Sequence, residues 1–413
     1  MPAVTSAGVH PRILIVTHSY YEEDPRVRRQ GEALAAAGWE VDVLALRKPG
    51  SEAREQIEGV DVHRVDVQRH QGAGLGTYII EYAAFFVRAG IAAVRLHARR
   101  RYEVAQVATL PDPLVFALAP LRLDGVPIVL DLHEAMPEFF RSRFPAASRG
   151  AVRAALLAAE RVSIAFASHV LTVNDALRER LEALGVPGGR VTVILNSPRT
   201  DRFDPTAHPR RGFMEDGRLR LVYAGALTPL YQLDVVVDAV ALLAHGVDGG
   251  GMTASPATPI DVTLDLYGRG DAEPLLRRLA EEHGIADRIR FHGRIPVEEV
   301  AGRIADADVG LAPTRRDAFT DFSLSTKIFE YAAMGKPVIA SRLPTVERYF
   351  GPDALRYFAP GDAGSLAASA RDLVADPQGR EAAVAAAGER VRELSWEREA
   401  ARYVGLLESL AAR

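Results

Sequence analysis

The feature that most constrains the fold of this chain is a repeated alternation of short apolar strands with helices. It begins with ILIVT at residues 13–17, passes through a helix predicted at 25–37, and reaches a second strand at 41–46. Continuous apolar runs of this kind are typical of strands that are buried on both faces of a sheet. Strand–helix–strand units cross over right-handed and build parallel sheets. The alternation therefore predicts an α/β fold of the doubly wound type.

The alternation forms two series, which are separated by a segment rich in proline and arginine. In the first series we predict further strands at 60–65, 104–108, 128–132, 169–173 and 191–195, and helices at 78–99, 148–167 and 175–184. In the second we predict strands at 219–223, 262–267, 289–292, 309–312 and 338–340, and helices at 233–244, 274–283, 297–305, 326–334, 362–376 and 380–394. The polar segment breaks the periodicity, which indicates a linker.

The domain boundaries follow from these two series. We expect an N-terminal Rossmann-like domain at 1–200, a linker at 201–217 and a second Rossmann-like domain at 218–394. A helix at 395–413 should cross back onto the first domain. The Gly/Ser/Pro-rich segment 246–259 is predicted to be a mobile surface insertion without chemistry.

Composition narrows the class of protein. A hydrophobic content of 48% and a charged content of 25% are typical of a globular protein, and the net charge of −4 argues against a nucleic-acid binder. The absence of cysteine excludes disulfides, thiolate metal sites and cysteine nucleophiles. Residues 1–11 lack a signal-peptide pattern, and no run reaches the ~20 apolar residues of a membrane span. We therefore expect a soluble, cytoplasmic protein.

The stretch SLSTKIFEYAAMGKPVIAS at residues 323–341 is a candidate nucleotide site. Ser325 is a helix N-cap candidate, and Thr326 opens the helix. Lys327 and Glu330 are three residues apart and share one face near its start. The helix N-terminus and the lysine favour phosphate, while the carboxylate can accept hydrogen bonds from a ribose diol. The stretch suits a nucleotide diphosphate; the alternative is an ordinary surface ion pair.

Residues that directly follow strands of the second series suit the same ligand, because ligands bind at the carboxyl ends of parallel strands. Glycines there let the backbone approach a phosphate or nucleoside, and arginines can grip phosphate with two hydrogen bonds. The candidates are Gly225, Gly268, Arg269, Arg294, Ile295 and Arg315. Alternatively, each glycine simply allows the chain to turn.

In the first series, His133 follows the strand at 128–132, where it could hydrogen-bond a sugar or acceptor hydroxyl. Asp131 and Glu134 flank it and could orient its ring. The alternative is a histidine that caps the next helix or packs in its loop. Arg26 lies in the first turn after the N-cap candidate Asp24, where the helix dipole disfavours cations. An anionic acceptor group would explain such arginines, and we expect Asp24, Arg26 and Glu134 to bind the acceptor. The alternative is that the arginines pair with Glu22 and Glu23.

The helix at 78–101 (YIIEYAAFFVRAGIAAVRLHARRR) is amphipathic and strongly basic at its end. This pattern leaves open a peripheral contact with an anionic membrane surface, at the inner face of the cell membrane. The alternative, which the sequence favours, is a helix that packs on the core and has an exposed tail.

With these residues in place, the sequence resembles the retaining glycosyltransferases of family 4, which have the GT-B fold of two Rossmann-like domains facing a cleft. The similarity runs nearly the whole chain, through ILIVTHSYYEEDPRVRRQGEALAAAGWEVDVLA, DLHE, ILNSPRTDRFDP, YAGALTPLYQLD, LYGRGD, FHGRIP and STKIFEYAAMGKPVIAS. The resemblance implies a nucleotide-sugar donor on the second domain and an acceptor on the first. It also implies retention at the anomeric carbon without a bound metal or other cofactor.

Carried over by motif, the resemblance implies roles for individual residues. Glu330 would bind the donor ribose, Lys327 would lie near the pyrophosphate, and the FHGRIP loop would contact the base. Gly225 would line the phosphate cleft, and His133 would lie beside the donor sugar.

The sequence also departs from the family pattern. Phe322 stands where a second glutamate is usual, and Ala226 and Tyr231 stand where the family has arginine and lysine. A departing diphosphate needs positive charge or hydrogen-bond donors. The candidates to supply them are Lys327, the amides of residues 323–326, Arg269, Arg315 and Arg316.

We therefore expect a hexosyltransferase that acts on the hydroxyl of a saccharide, lipid-linked or small-molecule acceptor. Its product would belong to cell-wall polysaccharide, glycolipid or natural-product assembly. The alternatives are a catalytically degenerate subunit that binds a nucleotide or a partner, and, by fold analogy alone, a nucleotide-sugar epimerase.

Overall fold

A computed structural model describes residues 10–67, 75–143, 150–197, 199, 202–209, 211–248 and 255–412. The chain forms two compact units. One comprises Met1–Asn196 with Arg398–Arg413, and the other comprises Ser197–Glu397.

The first unit is built on an eight-stranded sheet that is covered by helices. Its strands are β1 (Arg12–Thr17), β2 (Glu40–Leu46), β3 (Arg54–Ile57), β4 (Val60–Val65), β5 (Val104–Ala108), β6 (Ile128–Leu132), β7 (His169–Thr172) and β8 (Val191–Val193). Its helices are α1 (Pro25–Ala36), α2 (Leu75–Arg100), α3 (Ala119–Leu123), α4 (Met136–Arg143), α5 (Ala151–Phe166), α6 (Asp175–Ala183) and the C-terminal helix α14 (Trp396–Ala411). The order β3-β4-β2-β1-β5-β6-β7-β8 reverses direction between β1 and β5, as in doubly wound folds.

The second unit is built on a six-stranded parallel sheet. The strands of this sheet are β9 (Leu219–Ala224), β12 (Val262–Tyr267), β13 (Ile289–Gly293), β14 (Val309–Ala312), β15 (Val338–Ser341) and β16 (Arg356–Phe358). Two further short strands, β10 (Val247–Asp248) and β11 (Ser255–Pro256), lie outside it. Its helices are α7 (Leu233–His245), α8 (Glu273–Glu282), α9 (Val297–Ala305), α10 (Thr326–Ala333), α11 (Pro344–Phe350), α12 (Ala363–Ala375) and α13 (Pro377–Glu393). The order β13-β12-β9-β14-β15-β16 reverses between β9 and β14, while β10 and β11 form a separate antiparallel pair.

The predicted parallel α/β architecture is confirmed. Sequence reasoning missed β3, which pairs antiparallel with β4 and whose sequence REQI has no apolar run. Strand β8 ends at Val193, two residues before its predicted end, because the Leu195 amide donates instead to Glu399 of α14 at 2.8 Å. Helix α14 is tied to this sheet by the hydrogen bond from Tyr403 to Gln106 at 2.7 Å.

Two polar segments differ from simple loops. The segment expected to serve as a linker carries Phe203, which is buried in the core of the second unit. The segment 246–259 contributes β10 and β11, and its residues 249–254 lie outside the described residues. Within the described parts of the chain, no helix is long and apolar enough to span a membrane.

Candidate functional site

The loops after β9, β12 and β13 are held against one another by backbone hydrogen bonds. The Gly225 amide donates to the Tyr267 carbonyl at 2.8 Å, and the Gly268 amide donates to the Gly293 carbonyl at 2.7 Å. Gly268 has a φ of +146°, and a Cβ there would overlap the Gly225 carbonyl oxygen. Glycine is therefore needed for this close stacking, which makes one continuous wall at the strand ends.

A cavity of about 330 Å³ lies against this wall, within the second unit. Its size falls in the range of small-molecule sites. Among its lining residues are the predicted Gly225, Gly268, Arg269, Arg294, Ile295 and Glu330. These six predicted residues therefore come together from three loops and one helix at the carboxyl ends of the strands.

Helix α10 is positioned on the sheet by Gly310 in β14. A Cβ on Gly310 would overlap the Tyr331 ring, so glycine lets this buried ring lie directly on the strand. The Tyr331 hydroxyl accepts a hydrogen bond from the Ala224 amide at 3.1 Å. This packing fixes the start of α10 beside the end of β9, and with it the faces that carry Lys327 and Glu330.

Lys327 lies over Gly225 and between aromatic rings. A Cβ built on Gly225 would overlap the Lys327 side chain. The Lys327 ammonium lies 4.3 Å from the centroid of the Tyr231 ring and 5.3 Å from that of Tyr223. Burial raises the pKa of Tyr223, so its phenol stays protonated and donates to the Ala226 carbonyl at 2.8 Å. The two rings therefore hold the ammonium at the loop after β9 by cation–π attraction.

The start of α10 keeps its backbone donors uncapped by side chains. Ser325 occupies the predicted N-cap position, but its hydroxyl makes no capping hydrogen bond. Thr326 is the first helical residue, as predicted. The first-turn amides of a helix favour an anion, and Lys327 adds a charge in the same turn.

The structure separates the candidate cations into two groups. Arg315 pairs with Asp317 at 2.9 Å, and Arg316 pairs with Asp321 at 3.0 Å. By contrast, no ion pair with another described residue involves Arg269, Arg294 or Lys327. The cavity wall therefore carries positive charge that internal carboxylates do not neutralise.

Sequence reasoning missed several residues of this site. Phe203 lines the cavity although it lies in the expected linker, and nothing in that polar segment indicated it. Tyr267 also lines it, and its ring stacks on His292 with centroids 4.3 Å apart. Tyr231 was noted as a departure from the family pattern, but only the structure places its ring on Lys327.

In the first unit, His133 follows β6, and its ring is oriented by Asp131, as the sequence suggested. Its Nε2 lies 3.2 Å from the Asp131 carboxylate, and its side chain is 19% exposed. Glu134 is partly buried, which raises the pKa of its carboxyl. Imidazole and carboxyl groups of this kind can hydrogen-bond or exchange a proton with a hydroxyl.

The expectation for Arg26 is corrected. Arg26 is only 3% exposed, and its guanidinium donates to both oxygens of Asp131 and, at 2.8 Å, to the Ile194 carbonyl. It therefore forms an internal ion pair in place of a contact with an acceptor anion. Burial alone would raise the pKa of Asp131, but the charges of Arg26 and His133 hold that pKa well below its usual range.

Other charged residues at the start of α1 also have partners within the first unit. Asp24 caps the helix, because its carboxylate accepts from the Val27 amide at 3.1 Å. The alternative for the α1 arginines, a pairing with Glu22 and Glu23, is also contradicted by the structure. Those glutamates pair with Arg64 and Lys48, and Arg28 pairs with Glu32 at 2.6 Å. Across the described ranges, no cluster of three or more His, Asp or Glu side chains could hold a metal ion.

Comparison with known proteins places both units among transferases of sugars. The family model for the "Glycosyl transferase 4-like domain" matches residues 24–197. The model for "Glycosyl transferases group 1" matches residues 218–376.

Several characterised proteins are similar along most of their length. The glycogen synthase of Mycobacterium tuberculosis is 26% identical over 90% of this chain and 87% of its own. The D-inositol 3-phosphate glycosyltransferase of Geodermatophilus obscurus is 26% identical over 92% of this chain and 83% of its own. Among solved structures, the sucrose-phosphate synthase of Thermosynechococcus elongatus aligns with a TM-score of 0.76 and 22% identity over 98% of this chain and 100% of its own. That structural likeness establishes the fold.

Proposed function

Since the chain belongs to the group 1 glycosyltransferases and has the GT-B fold, we propose that it transfers a hexose from a nucleotide diphosphate, with retention at the anomeric carbon. The acceptor is a hydroxyl group of a saccharide, a lipid-linked sugar or a small molecule such as an inositol phosphate. The two relatives support this range of acceptors, since one is named for glycogen and the other for D-inositol 3-phosphate.

The cavity of the second unit is the observation that carries the proposal. It joins Arg269 and Arg294, which form no ion pair with the residues that the structure describes, to a carboxylate, Glu330, and to the glycines at the strand ends. Glu330 accepts hydrogen bonds from the ribose diol, and Arg294 with Ile295 contacts the base. The Gly225 and Gly268 amides already donate hydrogen bonds within the sheet. These glycines therefore let the ligand approach the backbone closely, and other groups donate hydrogen bonds to it.

The diphosphate is stabilised by Lys327, Arg269 and the first-turn amides of Ser325 and Thr326. These groups provide the positive charge that Ala226 and Tyr231 do not. Arg315 takes a smaller share, because Asp317 already neutralises it. With this charge in place, we propose that the transfer needs no metal ion. Activity that survives EDTA supports this, and activity that depends on an added divalent cation contradicts it.

In the transfer itself, the bond from the anomeric carbon to the leaving phosphate oxygen breaks. The acceptor oxygen forms its bond on the same face, and the acceptor proton passes to that phosphate oxygen. This route does not require a pair of carboxylates of the glycosidase kind. On the first unit, His133 hydrogen-bonds a sugar or acceptor hydroxyl, and Asp131 fixes the orientation of its ring. Glu134 contributes to acceptor binding.

The test is a thermal-shift screen against UDP, GDP, ADP and dTDP, followed by transfer assays with the matching nucleotide sugars. Formation of an α-linked glycoside from an α-linked donor supports retaining transfer. Tight nucleotide binding with neither transfer nor donor hydrolysis indicates the degenerate binding subunit instead. Isomerisation of the donor sugar indicates an epimerase.

A further inference from the structure

Helix α2 has two apolar faces, and only one of them is covered. Phe85, Ala89 and Ala93 are fully buried against the sheet of the first unit. On the opposite side lies an apolar row, which we call the outer stripe. It consists of Ile80, Ala83, Val87, Ile91, Val94 and Ala98, all of which are exposed. A helix that served only to pack on the core would present polar residues there.

The outer stripe is too large to be a scatter of single surface residues. Its members follow one another at intervals of three and four residues, so they form a continuous band about 27 Å long at 1.5 Å per residue. Ile80 is 72% exposed, and Ile79 beside it is also exposed. Contiguous apolar surface of this kind marks an interaction site.

The band continues beyond the end of α2. Leu123, the last residue of α3, is 90% exposed. It shares a cavity of about 420 Å³ with Val94 and Ala98 of the stripe. The polar residues of this cavity are His97, Arg101 and Asp124, and Arg101 pairs with Asp124 at 3.2 Å.

The exposed charged residues of α2 itself have one sign. Glu81 is the single acidic residue of α2, and it is buried, with an oxygen 3.4 Å from His18 Nε2. The exposed arginines on this helix are Arg88, Arg95 and Arg99. The exposed surface of α2 is therefore apolar and cationic, and the nearby carboxylate of Asp124 already pairs with Arg101 and His97.

We propose that α2 lies in the plane of an anionic lipid bilayer, with the outer stripe and Leu123 in the acyl boundary and the arginines at the headgroups. A helix with an apolar face flanked by cations binds such surfaces by burial and by attraction to anionic lipids. A second copy of the chain is a poorer occupant, because pairing two such helices would bring their arginines together without acidic partners on the helix.

The proposal is tested by co-sedimentation of the full chain with large vesicles at low and high salt. Vesicles of phosphatidylcholine alone are compared with vesicles containing about 30% phosphatidylglycerol. We expect at least ~10-fold stronger binding to the anionic vesicles and a clear loss at 0.5 M salt, because the Debye length then shrinks to a few ångströms. Equal binding to both vesicle types, or binding to neither, overturns the proposal.

Substitutions on the exposed face assign the binding to α2 without disturbing the core. Val87→Ser with Ile91→Ser, and separately Arg95→Glu with Arg99→Glu, should each reduce binding to anionic vesicles at least ~10-fold. Matched controls on helix α8 of the second unit, Leu275→Ser and Arg278→Glu, should bind as the unaltered chain does. Unchanged binding in both α2 variants overturns the proposal.

The oligomeric state separates a membrane surface from a second copy. Sedimentation velocity without lipid is run on the unaltered chain and on the Val87→Ser, Ile91→Ser variant. A monomer in both cases supports the bilayer as the occupant. A dimer that the paired substitution dissociates identifies the stripe as a contact between copies and overturns the proposal.

Discussion

The ammonium of Lys327 lies 4.3 Å from the centroid of the Tyr231 ring. A lysine is expected at position 231 from the family resemblance, so one cation is missing, and an aromatic ring takes its place. The ring holds another cation, Lys327, over Gly225 at the edge of the cavity. The chain thus replaces a second positive charge by a contact that positions the first one.

Lys327→Ala should lower kcat/KM for the sugar donor by at least ~100-fold, because a charge that stabilises the departing diphosphate is lost. The affinity for a nucleoside diphosphate should fall more than that for the monophosphate. Steady-state kinetics and calorimetry measure both. Lys48→Ala removes a lysine paired with Glu23 on the first unit and should leave both values unchanged. Normal turnover and donor affinity in Lys327→Ala would remove the pyrophosphate role.

Tyr231→Leu should lower kcat/KM by roughly 3- to 30-fold, the scale of one cation–π contact. Tyr231→Phe keeps the ring and should restore most of the activity. A matching loss in Tyr231→Phe would mean that the hydroxyl, rather than the ring, matters. Equal activity in all three proteins would show that Lys327 needs no positioning by the ring.

Glu330→Gln should weaken binding of a ribonucleoside diphosphate about 10-fold or more, because a neutral amide accepts a weaker hydrogen bond from the ribose hydroxyls. A 2′,3′-dideoxy analogue lacks those hydroxyls and should bind the unaltered and substituted proteins equally well. Calorimetry with both ligands on both proteins gives the coupling between the carboxylate and the diol. An equal loss for the two ligands would show that Glu330 acts elsewhere.

Gly310→Ala should destabilise the second unit by about 1–3 kcal/mol, because the added methyl group overlaps the buried Tyr331 ring. Nucleotide affinity should fall as well, since this contact positions α10. Gly405→Ala is the matched control, because Gly405 lies on the exposed face of α14 with nothing within 4 Å of its added Cβ. It should stabilise by about 0.5–1 kcal/mol through helix propensity. Urea unfolding measures both changes; equal, small effects would contradict the packing argument.

Asp112 should make the stability of the first unit depend on pH. Burial, and then the charge of Glu160, raises its pKa to about 8 from the usual 3.8. Between these values the unfolded chain has released a proton that the folded chain keeps, so stability falls as pH rises through this window. Thermal unfolding should show that Asp112→Asn gains stability relative to the unaltered chain between pH 5 and pH 8.

Asp124→Asn is the control for this pH dependence. A hydrogen bond from His97 lowers the pKa of Asp124, so its substitution should give no such gain at higher pH. If the difference in stability between Asp112→Asn and the unaltered chain is the same at every pH, Asp112 does not titrate in this range.

The amino-acid sequence by itself determined the two parallel sheets, because continuous apolar strands have no other stable place than between layers of helices. It also determined the nucleotide-site candidates, since residues directly after parallel strands share one edge of a sheet whatever the side-chain packing. Gly225, Gly268 and Arg294 were predictable for this reason, and Glu330 was predictable from its place near the start of a helix. All four line one cavity.

Only the tertiary structure decided which side chains are already committed to partners inside the protein. Arg26 read as an exposed cation, but it forms a buried ion pair with Asp131, which lies 105 positions further along the chain. Tyr231 read as a lost charge, yet folding places its ring on Lys327. For α2 the sequence favoured core packing and left a membrane contact open, because periodicity shows that a face is apolar but not whether another element covers it. Such pairings depend on distances between segments far apart in the chain, which local pattern does not encode.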